Sequence, residues 1–221
     1  MAIPLIDKED SFEIVRTQIA GILALETLAQ VALATAASKP NPEDWKLRVF
    51  MERSNPWEEF RDNPTDVSPI VNVWYDNSNF DKSGSNISER QQTIGTFNVD
   101  CYGYGVSSDV AAGGHSPGDR EAALELHKAL RLVRNILMAS ENTYLKLRGL
   151  VGQRWPQAVT SFQVQIDNRT VENTQGARLA LVVSFNEFSP QYQHETLDYV
   201  AVDVNRAENG QILVEADYDY T

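Results

Sequence analysis

CYGYGVSSDVAAGGHSPGDR, residues 101–120, holds five glycines in twenty positions, with a β-like run before it and a helical run after. Strand, glycine-rich loop, helix is an order in which many proteins cradle a phosphate. A dinucleotide fingerprint needs G-x-G-x-x-G, with each glycine serving a tight turn, a close pyrophosphate approach or helix packing. Here Gly103 and Gly105 are followed by Ser108 where the third glycine belongs, and some ten residues intervene before the helix. No Gly-Lys-Ser/Thr occurs anywhere in the chain, so a P-loop fails too. GGHSPGD offers at most an anion nest of backbone amides. The stretch reads as the end of a core strand, a long loop and a capped helix start.

Working outward, the helix is expected over Pro117–Ala139, with Ser116 as N-cap, Pro117 at the first helical position and Asp119 at capping-box spacing. Ala123, Leu126, Leu130, Val133 and Leu137 form its apolar stripe, and acidic residues open it while Lys128, Arg131 and Arg134 follow, as the helix dipole prefers. On the other side, residues 92–106 alternate as a strand, Phe97, Val99 and Cys101 against Asn98, Asp100 and Tyr102.

Farther out, a first helix is expected over Asp10–Ala37, with Asp10 and Glu13 at capping-box spacing. Phe12, Val15, Ile19, Ile22, Ala29, Leu33 and Ala36 share one stripe that Leu25, Leu28 and Ala32 widen. Most of this helix needs cover, from the chain's own sheet or partly from a neighbouring subunit. Residues 45–53, 69–77 and 177–189 read as strands, the last as a central one. Residues 78–92 and 105–116 read as polar loops, 142–166 as short strands and turns, and 55–66 as Asn-Pro turns. The tail reads as a hairpin turning at Asn209-Gly210. The expected fold is α+β: a mixed or antiparallel sheet backed by an N-terminal and a central helix. The division is a domain over 1–193 and an acidic hairpin extension over 194–221, with seven acidic residues and one arginine in the extension.

The 221-residue chain carries 19 Lys+Arg against 31 Asp+Glu, a net charge of −12, which argues against affinity for DNA or RNA built on clustered cations. Its apolar stretch IAGILALETLAQVALATAA is interrupted by Glu26 and Gln30, too polar for a membrane span, and no signal-peptide pattern opens the chain. We expect a soluble protein of a cytoplasm-like compartment. One cysteine, Cys101, excludes an intramolecular disulfide and a cysteine zinc site, and its place in an alternating strand marks a buried thiol.

Catalytic patterns are absent from the sequence. His115, His127 and His194 have no ligand spacing, and no G-x-S-x-G occurs. Asn79, Asp81, Ser83 and Gly84 match the start of a calcium loop, but Arg90 stands at its twelfth position. Trp45, Trp57, Trp74 and Trp155 are dispersed, not interleaved with cations; Trp57 and Trp155, beside prolines, read as loop anchors or interface residues. The expectation is no enzyme, no cofactor and no metal.

The order of an Ala/Leu helix, two strands, a long loop, TIGTFNVDCYGYG, a glycine-rich loop, REAALELHKALRLVRNIL and a late RLALVVSF resembles the tail terminator (tail completion) proteins of tailed bacteriophages and the neck proteins sharing their fold. The resemblance covers roughly residues 10–190 and is one of pattern, with Leu130, Val133 and Leu137 carrying the helix's L-x-x-V-x-x-L spacing. It implies a structural virion protein, assembled in the host cytoplasm. Such a subunit forms a ring, typically six-fold, that caps the tail tube, stops its polymerisation and joins the tail to the head–neck connector. Implied partners are further copies of the chain, the tail tube protein, the connector and, in some tails, the sheath. DNA would pass through the lumen without specific binding, and no membrane is involved. Candidate contact residues are Ser83, Gly84, Ser107, Asp109, Gly113 and His115 in the loops, and Asp203, Glu208, Asp217 and Asp219 in the acidic arm. The alternatives are another neck, adaptor or baseplate subunit, or a small-molecule or nucleotide-processing α/β enzyme using the glycine loop.

Overall fold

A computed structural model describes residues 9–63, 66–80, 90–110, 114–166, 169–188, 199–205 and 212–219. Two compact units are present: Ile6–Ser189, and a second that contains the C-terminal hairpin. The first is an α+β fold, in which a five-stranded mixed sheet carries α1 (Ser11–Ala36) and α3 (Gly118–Met138) on one face. The strands are β1 (Arg48–Met51), β2 (Ile70–Phe80), β3 (Arg90–Tyr104), β6 (Val151–Ile166) and β7 (Arg169–Phe188), in the order β1-β2-β3-β7-β6. Only β1 and β2 run parallel; the other neighbours are antiparallel. The sheet and its two helices match the expectation from sequence.

Period-two alternation decides which residues meet the helices. Val71, Val73, Phe97, Val99, Cys101, Ala177, Leu179, Leu181, Val183 and Phe185 build the helix-side core with Val15, Ile19, Leu23, Leu126, Val133 and Leu137. Cys101 is fully buried there, and burial, then the nearby Asp100 charge, pushes its thiol well above the ordinary range. A smaller cluster of Phe60, Ile70, Tyr102 and Val164 covers part of the opposite face. It recruits Phe60 from the short helix α2 (Glu59–Asp62) and Trp57 from the turn before it, so Trp57 anchors its loop.

Several boundaries depart from the sequence expectation. Trp45 closes a 3₁₀ turn, Pro42–Trp45, and β1 starts only at Arg48. β2 continues to Phe80 because Asn77–Phe80 pair with Thr93–Thr96, extending the strand into the expected loop. Residues 142–166 do not break into short strands; β6 is one strand of 16 residues with bulges near Gly152, Gln157 and Val164. The glycine loop also contains a ribbon, β4 (Ser108–Val110) paired antiparallel with β5 (Gly114–Ser116).

The second unit pairs β8 (Tyr199–Asn205) antiparallel with β9 (Ile212–Asp219). Asn209-Gly210, the expected turn, lies outside the described residues.

Candidate functional surfaces

The glycines of the opening stretch have a packing role. A Cβ on Gly103 would run into the Ala122 carbonyl and come within 2.5 Å of the Leu126 amide. A Cβ on Gly105 would strike the Gly118 carbonyl and lie 2.5 Å from the Ala122 amide. Strand and helix backbones therefore approach more closely than any side chain permits. The tertiary fold also holds the start of α3, whose N-cap position falls one residue after the expected Ser116. Pro117 occupies the N-cap position, and Gly118, not Pro117, is the first helical residue. The Gly118 N–H donates to the Ser107 hydroxyl at 3.0 Å, and the Asn173 N–H donates to the Asp119 carboxylate at 3.1 Å.

Beside this helix start lies a cleft of about 400 Å³ lined by Glu43, Asp44, Glu121, Glu125 and Lys128, with Tyr104 and Gly105 among its walls. Lys128 is held by Glu125 at 2.7 Å and lies 3.8 Å from Asp44. With four carboxylates around one engaged lysine, the charge where a phosphate would sit opposes it.

The sheet face opposite α1 and α3 carries a polar cluster in a recess of about 350 Å³. Asp100 is only 4% exposed, although alternation alone marks it as a solvent-facing residue. It accepts from Arg178 Nε at 2.7 Å and Nη2 at 3.0 Å, and from Trp74 Nε1 at 2.9 Å. The Arg178 guanidinium lies 4.6 Å over the Trp74 ring, and its hydrogen bonds to Asp100 raise its pKa above the ordinary arginine value. Burial, then the Asp100 charge, pushes the Tyr102 hydroxyl up. Asn72 holds the backbone of Arg53 from both sides, its carbonyl accepting at 3.1 Å and its amide donating at 3.0 Å. Asp100 thus ties β2 and β7 to β3, and Asn72 ties the loop at Arg53 to β2, as a positioning network does.

A second arginine joins β6 to the helix layer. Arg154 donates to the carbonyls of Leu137 at 2.6 Å, Ala139 at 2.7 Å and Thr143 at 2.7 Å. These are orphan acceptors at and just beyond the end of α3, where a cation also complements the helix dipole. Burial lowers the Arg154 pKa from its ordinary value. No sequence signal pointed to Arg154, because its partners are backbone atoms.

The candidate contact residues fall in separate elements where they are described. Ser107 is exposed and caps α3. Asp109 and His115 are register partners in the β4–β5 ribbon, while Ser83, Gly84, Gly113 and Glu208 lie outside the described residues. In the hairpin, Asp203 pairs with Glu215, Ala201 with Asp217 and Tyr199 with Asp219. Trp155, expected to be an anchor or an interface residue, sits on β6 and is 37% exposed.

Most of α1 was expected to be covered; its first half is, while its second half buries Thr27 and Ala34 and turns a leucine stripe outward. Val15, Ile19 and Leu23 are fully buried, yet Leu25, Leu28 and Leu33 are 72%, 66% and 61% exposed. By length and composition α1 could cross a membrane, but its first half forms the core of the sheet fold. Among the described residues, no group of His, Cys, Asp and Glu is arranged to hold a metal ion. No family model matches the chain, and no curated protein matches it. The fold and its surfaces define an α+β protein with one sheet face covered by two helices, an acidic cleft and an N-terminal helix with an exposed leucine stripe.

Proposed function

We propose that this chain is a structural subunit of a tailed phage: a ring-forming tail terminator that caps the tail tube, stops its polymerisation and joins it to the head–neck connector. The observation that carries this reading is the architecture. A mixed sheet is backed on one face by the N-terminal helix α1 and the central helix α3, the same order of elements on which the resemblance rests. Gly103 and Gly105, the glycines nearest to a phosphate-loop spacing, are committed to packing against α3, and Gly105 borders a cleft of carboxylates. A ring subunit needs two different surfaces for its neighbours. The exposed leucine stripe of α1 and the edge strand β6 supply surfaces of that kind.

Phage assembly with this gene silenced tests the proposal. Tail tubes of uncontrolled length that fail to join heads are expected, with rescue by the purified chain. Tails of normal length that join heads without it refute the terminator reading. Normal tube length with failed head joining assigns the chain to the neck instead.

A further inference from the structure

The outer side of the second half of α1 is ordered as a surface. Leu25, Leu28, Ala29, Ala32, Leu33 and Ala36 recur at helical spacing, and all six are exposed. Scattered exposed leucines are ordinary, but a continuous stripe marks a contact surface. From Leu25 to Ala36 the single charged residue is Glu26, which accepts from Gln30 at 2.8 Å. Copies of a chain with net charge −12 repel one another, so they associate best where charge is sparse.

A second charge-poor surface lies at the other side of the same unit. α1 packs near β1 and β2, α3 packs on β3 and β7, and β6 is the strand beyond them. Residues 152–161 of β6 are exposed except for the half-buried Arg154, and Arg154 is committed to the carbonyls beyond α3. Val159 pairs with the core residue Leu179, which puts it on the helix side of the sheet, yet it is 52% exposed. The helix layer thus stops one strand short of the sheet edge.

We propose that a second copy of this chain fills that gap: the Leu25–Ala36 stripe of one subunit lies on Val159 and its β6 neighbours in the next, beside α3. This rests on the ring reading and names its subunit contact. The two surfaces differ and lie at opposite sides of the unit, so the contact is heterologous and repetition extends it toward closure. The stripe is about 18 Å long and ~10 Å wide, a minor part of the ~800 Å² each partner contributes to a stable interface. Association between free subunits is therefore weak and gains from ring closure.

The full chain is tested by cysteine cross-linking and sedimentation. Cys101 is its only cysteine and is buried, so introduced thiols report cleanly. Leu28→Cys combined with Val159→Cys should give a ladder of oxidised multimers, while neither single variant does. Leu28→Glu with Leu33→Glu should leave the circular dichroism spectrum unchanged and weaken self-association by roughly tenfold or more. The proposal is overturned by a double-cysteine variant without a ladder, by self-association indifferent to the two glutamates, or by a wild-type chain monomeric up to millimolar concentration. Dimers of the Leu28→Cys variant alone would indicate an α1-to-α1 contact and overturn it as well. Flotation of the wild type, but not the glutamate variant, with phosphatidylglycerol vesicles would assign the stripe to a lipid surface instead. Rings that persist in the glutamate variant refute this contact and leave the terminator reading standing. Tails that stop and join heads normally without the protein refute that reading and leave the contact standing.

Discussion

Arg154→Met removes three hydrogen bonds to backbone carbonyls while keeping most of the side chain's apolar stem. The guanidinium spans Leu137, Ala139 and Thr143 at 2.6–2.7 Å, closing the end of α3 against β6. A hydrogen bond to a charged group contributes about 1.5–3 kcal/mol, and half-burial lets water recover part of each. Taking about 1 kcal/mol per carbonyl, the variant should lose about 3 kcal/mol. For a unit of this size that lowers Tm by about 6–12 °C. Arg154→Lys retains the charge but not the planar fork, so it should lose about 2 kcal/mol, most of the same amount. Urea unfolding followed by circular dichroism reads both. A loss below about 1 kcal/mol for Arg154→Met would refute the reasoning, since the carbonyls would then be as well served by water.

Further tests address other parts of the fold. Gly103→Ala should cost about 2–4 kcal/mol, because β3 or α3 must move away from the new methyl, whereas Gly21→Ala, with nothing within 4 Å, should raise stability by up to about 1 kcal/mol; thermal melts of the two variants should move in opposite directions. Asp100→Ala leaves Arg178 and the Trp74 N–H without their shared acceptor and should cost about 2–4 kcal/mol in urea unfolding, while replacing Asp100 and Arg178 together by Leu and Met should cost less than the single change. Burial raises the Asp66 pKa, but hydrogen bonds from Ser68 and Lys46 outweigh it and bring the carboxyl down to about 2. Because the folded pKa is the depressed one, the stability Asp66 contributes is complete above its unfolded pKa of about 4 and is lost as pH falls toward 2. Asp66→Asn should therefore flatten the acid limb of a pH–stability curve between those values.

The sequence reveals these elements unequally, for physical reasons. α3 and β7 are legible because burial of one helix stripe and of an interior strand demands a regular apolar pattern, which Leu126, Val133 and Leu137, and Leu179, Leu181 and Val183, supply. β6 is not, because an outer strand exposed along 152–161 needs no alternation, and Pro156 reads as a breaker where the strand in fact carries a bulge. The glycine loop is half legible: the missing phosphate spacing is visible, but the reason for Gly103 and Gly105 needs the backbone of a helix that follows them in the chain. Asp100 and Arg178 stand far apart in sequence, and nothing local marks them as a pair. The α1 stripe is visible as apolar, but only the packed structure separates the residues it buries from Leu25, Leu28 and Leu33, which it leaves bare.

The central ladder of the sheet sets a timetable for synthesis. β3 pairs Arg90 with Phe188 and Tyr104 with Thr174, so β3 leaves the ribosome long before its partner. Until β7 arrives, β3 can pair with β2 alone, its other edge stays open, and α3 lacks half of the sheet it covers. Closing so large a loop is slow. The nascent chain must therefore wait with an unpaired edge and a bare leucine helix, and crowded synthesis of many copies is the condition under which it is most exposed to premature association.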